Sequence, residues 1–291
     1  MSLLAPEQLT LLAALLRARL GVHFPPQSYP VLGRALATRF GGAELPPRYL
    51  DLVARDDAEL ERLVPLVTVG KTAFFREERH FQALSSLLPG LLARCRGEGR
   101  RLSIWSAGCS TGEEPWSIAM TAAEAGAVEG ELELLASDLN PEAVSSAARG
   151  VFPARSLESL PPALAVRYFD PHDAEVRVKP CLRGLFDGAV THNLVSPTCP
   201  RPASGAWDVV FCRNVMIYFD GPTTRSVLSR FLQVLAPGGW LFLGSAESLF
   251  QRFDGFELTE TGGAFLYRRP GGAASGYTAA GATLRDHQGE A

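Results

Sequence analysis

The sequence predicts an α/β fold, a doubly wound parallel sheet with crossover helices, preceded by a small helical unit. Three observations carry that prediction. After Arg100, short apolar runs alternate with helical patterns, the signature of parallel strands joined by helices. A glycine-rich turn joins the first apolar run to the first of those helices. Before residue 100 no strand-like alternation appears, so that stretch reads as helical.

In chain order, Pro6 to Leu20 carries leucines at 9, 12, 16 and 20, with Pro6 and Glu7 suited to a first turn and Gly21 to the position past the end. Further helical patterns follow at about 30 to 40, 48 to 55 and 57 to 67, punctuated by Gly41-Gly42 and Pro46-Pro47. Leu102 to Ala107 is a buried strand, Gly108 to Gly112 a tight turn, and Glu113 to Ala125 a helix with Pro115 in its first turn. Glu131 to Ser137 is a second strand, and Asn140-Pro141-Glu142 opens a second helix. Trp207 to Cys212 is a strand, Pro222 to Leu235 a helix, and Pro237-Gly-Gly239 a turn into the strand Trp240 to Gly244. Two parts break the alternation. Between Leu157 and Val195 the chain carries Pro161-Pro162 and a short polar-apolar alternation around Glu175 to Lys179, which predicts a small β insertion. Phe256 to Thr259 and Ala264 to Arg268 flank Thr261-Gly-Gly263 as a hairpin closing the sheet, and from Pro270 the composition turns to that of a flexible tail.

The 291 residues include 46% hydrophobic and 20% charged side chains, enough apolar material for a sizeable core and too little charge for a disordered chain. A net charge of -3, from 28 basic and 31 acidic residues, gives no broad field for a polyanion or a membrane surface. Five cysteines at wide, irregular spacing form no zinc-site pattern and fit a reducing compartment. The N-terminus starts without a positive segment and carries Glu7, Arg17 and Arg19, unlike a secretory leader, and no apolar run reaches membrane-spanning length. These features lead to the expectation of a cytoplasmic protein without a metal. In the helical unit, Arg17, Arg19, Arg34, Arg39 and Arg48 precede the acidic stretch Asp51 to Glu61, which reads either as a face for an acidic partner helix or as a solvated surface of paired charges.

The chemistry concentrates at Ser106-Ala-Gly-Cys-Ser-Thr-Gly-Glu-Glu-Pro115, between a strand and a helix. It is no P-loop, since no Lys-Ser/Thr follows Gly112, and no full GxGxxG, since Ser110 stands where the second glycine would be. Glu113 and Glu114 at the helix start would repel a pyrophosphate and welcome a cation. Favourable charge at a helix N-terminus is the alternative reading. Asp138, ending the second strand, suits ribose hydroxyls, or else caps the next helix. An acidic nucleoside site without a phosphate cradle fits S-adenosylmethionine better than NAD. Thr72-Ala-Phe-Phe-Arg76 puts an arginine beside aromatics at the seam of the two units, with Phe74 and Phe75 read as core. Cys212-Arg-Asn-Val-Met-Ile-Tyr-Phe219 follows a strand whose end faces the expected crevice.

Over about Leu9 to Arg268, the chain resembles the CheR-type chemotaxis-receptor methyltransferases. The resemblance rests on Thr-Ala-Phe-Phe-Arg-Glu (72 to 77), Trp-Ser-Ala-Gly-Cys-Ser-Thr-Gly-Glu-Glu-Pro (105 to 115), Ala-Ser-Asp (136 to 138), His-Asn-Leu (192 to 194) and Phe-Cys-Arg-Asn-Val-Met-Ile-Tyr-Phe-Asp (211 to 220). Leu-Ala-Pro-Gly-Gly (235 to 239) and Gly-Ser-Ala-Glu-Ser (244 to 248) add to it. It implies a helical domain over 1–75, a Rossmann-like class I S-adenosylmethionine-dependent domain over 76–269 with an antiparallel β subdomain inserted at about 157–195, and a flexible tail over 270–291. It also implies methyl transfer from S-adenosylmethionine to glutamate side chains on the cytoplasmic helices of chemoreceptors.

By the same resemblance, the cofactor is held by Thr72, Arg76, Gly108, Glu114, Asp138, Asn193, Leu194, Arg213 and Asn214, with Arg76 and Tyr218 nearest the transferred methyl. The chain departs from the family pattern at Gly70, where some members have asparagine, at Trp116, where tyrosine is usual, and in a thinner basic docking face. The expected protein is a monomer that binds no nucleic acid and inserts in no membrane. A non-catalytic S-adenosylmethionine-binding scaffold and a methyltransferase for another substrate are the competing readings. A carboxylate nucleophile, with an ordinary pKa of about 4.3, needs no general base. The sequence contains no Ser/His/Asp or Cys/His arrangement that would supply one.

Overall fold

The computed structural model describes residues 4–43, 45–249 and 253–271, so most of the expected tail, 272–291, lies outside the described residues. The chain opens with four helices: α1 (Pro6–Leu20), α2 (Tyr29–Phe40), α3 (Tyr49–Arg55) and α4 (Asp57–Val67). Leu9, Leu12, Leu16 and Leu20 put the buried stripe of α1 against Leu32 and Leu36 of α2, Val53 of α3 and Leu63 and Val64 of α4. Each fully buried leucine contributes about 1.5–3 kcal/mol, so the unit is held by its own small core. Its acids and bases pair: Glu59, buried, takes Arg39 and the Tyr49 hydroxyl, and Arg19 pairs with Asp57. The arginines at 19 and 39 are therefore locked into the unit's own surface.

Next comes α5 (Glu78–Gly97), a 20-residue helix in the stretch the sequence reads as helical, but one for which no separate pattern gives bounds. Pro89 and Gly90 interrupt its pattern, yet Phe81, Leu84, Leu88, Leu91 and Leu92 share one buried stripe that packs on the sheet. Tertiary burial thus outweighs the local cost of proline in a helix. Then β1 (Leu102–Ala107), α6 (Glu113–Glu124), β2 (Leu132–Asp138) and α7 (Pro141–Arg149) follow the expected alternation. All six residues of β1 are buried, as a central parallel strand covered on both faces requires.

A small antiparallel sheet comprises β3 (Val151–Pro153), β4 (Phe169–His172) and β5 (Glu175–Val178), with α8 (Pro162–Tyr168) between β3 and β4 and α9 (Pro180–Arg183) after β5. It draws β3 from before residue 157. The next strand, β6 (Gly188–Thr191), lies inside the expected insertion span but pairs in parallel with β2. Four residues of Gly-Ala-Val-Thr are too short to show a period, which is why the sequence leaves that strand unseen.

The rest comprises β7 (Trp207–Cys212), α10 (Gly221–Val234), β8 (Leu235–Leu243), β9 (Glu257–Thr261) and β10 (Ala264–Arg268). Pro237-Gly-Gly239, read as a turn, instead lies within the first half of β8, with a register irregularity opposite Trp207 to Val209. The large sheet runs β6-β2-β1-β7-β8-β10-β9, with β6 to β8 parallel and the β9–β10 hairpin antiparallel at one edge. This is the Rossmann-like arrangement the resemblance implies. Strand order reverses between β1 and β7, so the crevice beyond the carboxyl ends of those two strands is where a ligand belongs.

Candidate active site

A solvent-open cavity with about 1060 Å³ of empty space lies at that switch point. Its wall combines the loops after β1, β2, β6 and β7 with Leu20, Val22 and the 67–73 segment of the helical unit. Thr72, Arg76, Gly108, Glu114 and Asp138 all line it, and so do Asn193, Leu194, Arg213, Asn214 and Tyr218. The structure therefore brings every residue named from the resemblance to one place, though not in equivalent roles.

The floor is the loop after β1. Gly108 has φ +87°, and a Cβ there would come within 2.3 Å of Val215 Cγ2, so only glycine fits between the two loops. Ser110 holds a left-handed φ of 49°, fixed by its N–H donating to Asp138 Oδ2 at 2.8 Å and its hydroxyl donating to the Gly70 carbonyl at 3.1 Å. The other Asp138 oxygen accepts from the Asn140 N–H at 2.9 Å. Asn140, not Asp138, caps α7, its side chain accepting from the Glu142 N–H at 3.0 Å. Asp138 is thus free of the helix cap and points at the cavity, each oxygen keeping lone pairs for a hydroxyl donor. Burial raises its pKa, against the pull of the Asn140 and Ser110 hydrogen bonds.

The two neighbouring glutamates diverge. Glu113 turns away from the cavity and accepts from the Thr111 hydroxyl at 2.6 Å. Glu114 faces the cavity with a side chain 12% exposed, accepts from the Ser106 hydroxyl at 2.8 Å and pairs with Arg213 Nη1 at 3.2 Å. Burial pushes its carboxyl above the usual range while Arg213 pulls it down.

Arg213 is the hub. Its side chain is 2% exposed, stacks over the Phe81 ring, donates through Nε to His80 Nδ1 at 3.1 Å and through Nη2 to the Arg76 carbonyl, and lies 3.7 Å from Glu77. Every face of the guanidinium is taken by protein, so it acts by fixing Glu114 and the Arg76 segment. Burial and the Arg213 charge lower the His80 pKa to about 4. His80 is therefore a neutral acceptor, and its 3.3 Å approach to Glu77 is no ion pair at neutral pH.

Arg76 is different. Its guanidinium donates to the Lys71 carbonyl at 2.9 Å and, among the described residues, has no carboxylate within ion-pair distance. It is a half-buried cation turned to a cavity whose lining also holds the acids Glu114 and Asp138, the exposed Lys71 and the Glu114-paired Arg213. Tyr218 sits beside it, its phenol pKa raised by burial and lowered by Arg76. Phe74 is 2% exposed and packs on Phe152 and Phe169, the core role expected of it.

Asn193 lines the cavity but spends its side chain elsewhere: Nδ2 donates to the Arg19 carbonyl at 2.8 Å and Oδ1 accepts from the Val195 N–H at 3.1 Å. It ties the end of α1 to the loop after β6. Leu194 is buried, with its carbonyl on Arg230. Besides His80, two glutamates of the network had no role in the sequence reading, Glu77 and Glu247. Both lie in quoted motifs, but nothing in their spacing says that segments so far apart meet.

The donor set fits S-adenosylmethionine: one carboxylate at a helix start for a cation, one at a strand end for ribose hydroxyls, and no cluster of phosphate-binding N–H groups flanked by lysine. Among the described residues, no group of His, Cys, Asp and Glu could hold a metal ion. No helix among them is long and apolar enough to cross a membrane.

Comparison with known proteins agrees. The family model described as "CheR methyltransferase, SAM binding domain" matches residues 70–264. The chemotaxis protein methyltransferase of Escherichia coli is 40% identical over 207 residues, covering 69% of this chain and 69% of that protein. Those of Salmonella typhimurium and Klebsiella aerogenes are each 38% identical, covering 72% and 70% of this chain and 72% and 69% of theirs.

Proposed function

Because the chain belongs to the CheR methyltransferase family, we propose that it forms methyl esters on glutamate side chains of chemoreceptor cytoplasmic helices. It is a chemotaxis methyltransferase whose methyl donor is S-adenosylmethionine. Bound in the cavity, that donor supplies a methyl on a sulfonium, taken in line by a carboxylate oxygen as the C–S bond breaks and its electron pair stays on sulfur. The acceptor arrives already ionised, so the protein moves no proton.

Its work is to orient and to exclude water, which together account for as much as roughly 7 to 11 kcal/mol of a barrier. Arg76 carries the reading. A cation without a carboxylate partner among the described residues, in a cavity with two acids, is a receptor for an incoming carboxylate. Tyr218, next to it, lines the channel along which that carboxylate reaches the methyl. Glu114 meets the positive end of the cofactor and Asp138 its ribose. Gly108 and Leu194 pack against it, Thr72 and Asn214 close the rim, and Arg213 and Asn193 hold the walls.

The same reading divides the chain into a helical domain over 1–75, a catalytic domain over 76–269 and a tail, with the small sheet as a subdomain of the catalytic part. It makes the protein a cytoplasmic monomer that engages receptors, not nucleic acid, and inserts in no bilayer. The test is incubation with labelled S-adenosylmethionine and receptor cytoplasmic fragments. Base-labile methyl esters on glutamate support it. Tight cofactor binding without transfer would make the protein a scaffold, and base-stable label would mean another acceptor group.

A further inference from the structure

The loop that presents Tyr218 has almost no regular structure of its own. Residues 213–218 include only one short 3-10 turn, Met216–Tyr218, and Asn214 sits at φ 59°, a left-handed conformation that costs a non-glycine residue energy unless its surroundings impose it. One side chain does the imposing. Glu247 is 5% exposed, and its Oε1 accepts from the Met216 N–H at 2.7 Å and the Ile217 N–H at 3.3 Å. Its Oε2 accepts from the Asn214 N–H at 2.6 Å and from the Gly244 N–H at 2.7 Å. Four backbone donors thus converge on one carboxylate, with no arginine, lysine or histidine paired to it among the described residues.

A second carboxylate backs it up: Glu77 accepts from the Asn214 side-chain amide at 3.2 Å and the Ser245 N–H at 2.9 Å. The turn after β8 has glycine for a reason of space, since a Cβ on Gly244 would lie 2.7 Å from Asn214 Nδ2 and 2.8 Å from Glu247 Oε2.

We infer that Glu247 is a positioning residue for methyl transfer, holding the 214–217 backbone so that Tyr218 faces the reacting methyl beside Arg76. The inference rests on the methyl-transfer reading of Arg76 and Tyr218, and it goes beyond that reading in assigning a role to a side chain that does not line the cofactor cavity. A carboxylate suits the position because it accepts on both oxygens. A glutamine must turn an N–H donor toward one of the two pairs of backbone donors, and whichever pair it faces is lost.

Glu247→Gln is compared with the parent by S-adenosylhomocysteine affinity, receptor-fragment methylation and residue-resolved amide exchange. The expected result is a kcat lower by roughly 10- to 100-fold, the penalty of misplacing a reacting group by about 1 Å. The dissociation constant for S-adenosylhomocysteine should change less than kcat does, because Glu114 and Asp138 stand on α6 and β2, outside the 214–217 loop, and only the rim at Asn214 and Val215 moves with it. Exchange should accelerate at Asn214, Met216 and Ile217 while β7 stays protected.

Gly244→Ala reaches the same loop by a steric route and should show the same split. It keeps the test open if Glu247→Gln fails to fold. Parent-like turnover in a folded variant, affinity lost in step with kcat, or unchanged protection of the three amides would each overturn the inference. The exchange readout needs no acceptor, so it decides this point even if receptor glutamates prove not to be the substrate.

Discussion

Replacing Arg213 by methionine tests the charge network that underlies the cavity. Methionine keeps an unbranched apolar stem over Phe81 but removes every donor, leaving Glu114 and Glu77 without their cation and the Arg76 carbonyl and His80 Nδ1 without their hydrogen bonds. Breaking a buried pair from one side costs about 3–5 kcal/mol, because the remaining charge is stranded. Glu114 has an escape, which is to take up a proton. For a carboxyl of ordinary pKa near 4.3 that costs about 1.4 kcal/mol per pH unit, hence at most about 4 kcal/mol at pH 7. Burial has already raised the Glu114 pKa, and losing Arg213 raises it further, so the real cost is smaller. The expected destabilisation is therefore about 3 kcal/mol at pH 7, shrinking toward about 1 kcal/mol at pH 5, where protonation is cheap. Urea unfolding at both pH values measures it.

Adding Glu114→Gln should recover part of the loss, with a coupling of about 1–3 kcal/mol, since the double variant buries no stranded charge there. If the two single losses add to within about 0.5 kcal/mol, or the loss is the same at both pH values, the network is not the electrostatic unit described.

Asp138→Ala should weaken cofactor binding by about 10- to 100-fold, equivalent to about 1.4 to 2.8 kcal/mol, and an unchanged constant by calorimetry would refute the ribose role. Gly108→Ala forces a Cβ into Val215 at a positive φ, so cofactor affinity should drop at least as far; parent-like binding would mean the loops part easily. His80 is buried and neutral, with a folded pKa of about 4 below its ordinary 6.5, so the unfolded chain binds its proton first. Stability should then fall as pH drops from about 6.5 to about 4, by about 3 kcal/mol, and His80→Gln should flatten that slope. Asp208 is fully buried at the start of β7, away from the cavity, and holds Arg94, Arg100 and the Ser103 N–H. Asp208→Asn should cost about 3 kcal/mol of stability while the folded fraction keeps normal turnover, and reduced turnover per folded molecule would contradict this separation.

What the sequence could reveal depended on how local the physics is. Strands β1 and β7 were legible because six consecutive buried residues between charged or glycine-rich flanks leave no other reading. α1 was legible from leucine spacing closed by Gly21, and the pattern at 57 to 67 is α4, which the structure shows opened by Asp56, its side chain accepting from the Ala58 N–H. The bounds of α5 and its place on the sheet escaped because Pro89-Gly90 contradicts helix locally, and only burial against the sheet overrides it.

The site divides in the same way. Gly108, Glu114 and Asp138 follow from their places at strand ends and a helix start. The likeness of Glu113 to Glu114 misled, since adjacent helical positions lie about 100° apart and cannot face one cavity together. Arg213, Glu77 and Glu247 act mainly through contacts separated by 30 to 168 positions in the chain, which no local pattern encodes.

The helical unit does more than sit beside the sheet. Its Arg19 carbonyl holds Asn193, its Gly70 carbonyl holds Ser110, its His23 N–H donates to the Tyr218 carbonyl, and Arg17 pairs with Asp220. Three of the four attachments end on residues that line the cavity. Those bonds fix the cavity wall from outside the sheet, so the shape the cofactor meets is set jointly by the two units and shifts with how tightly they clasp. The outermost attachment, Arg17 with Asp220, is half in solvent and weakens as salt screens it. Salt therefore loosens the clasp at a point outside the cavity wall, while the three attachments on the wall, which are not ion pairs, stay in place.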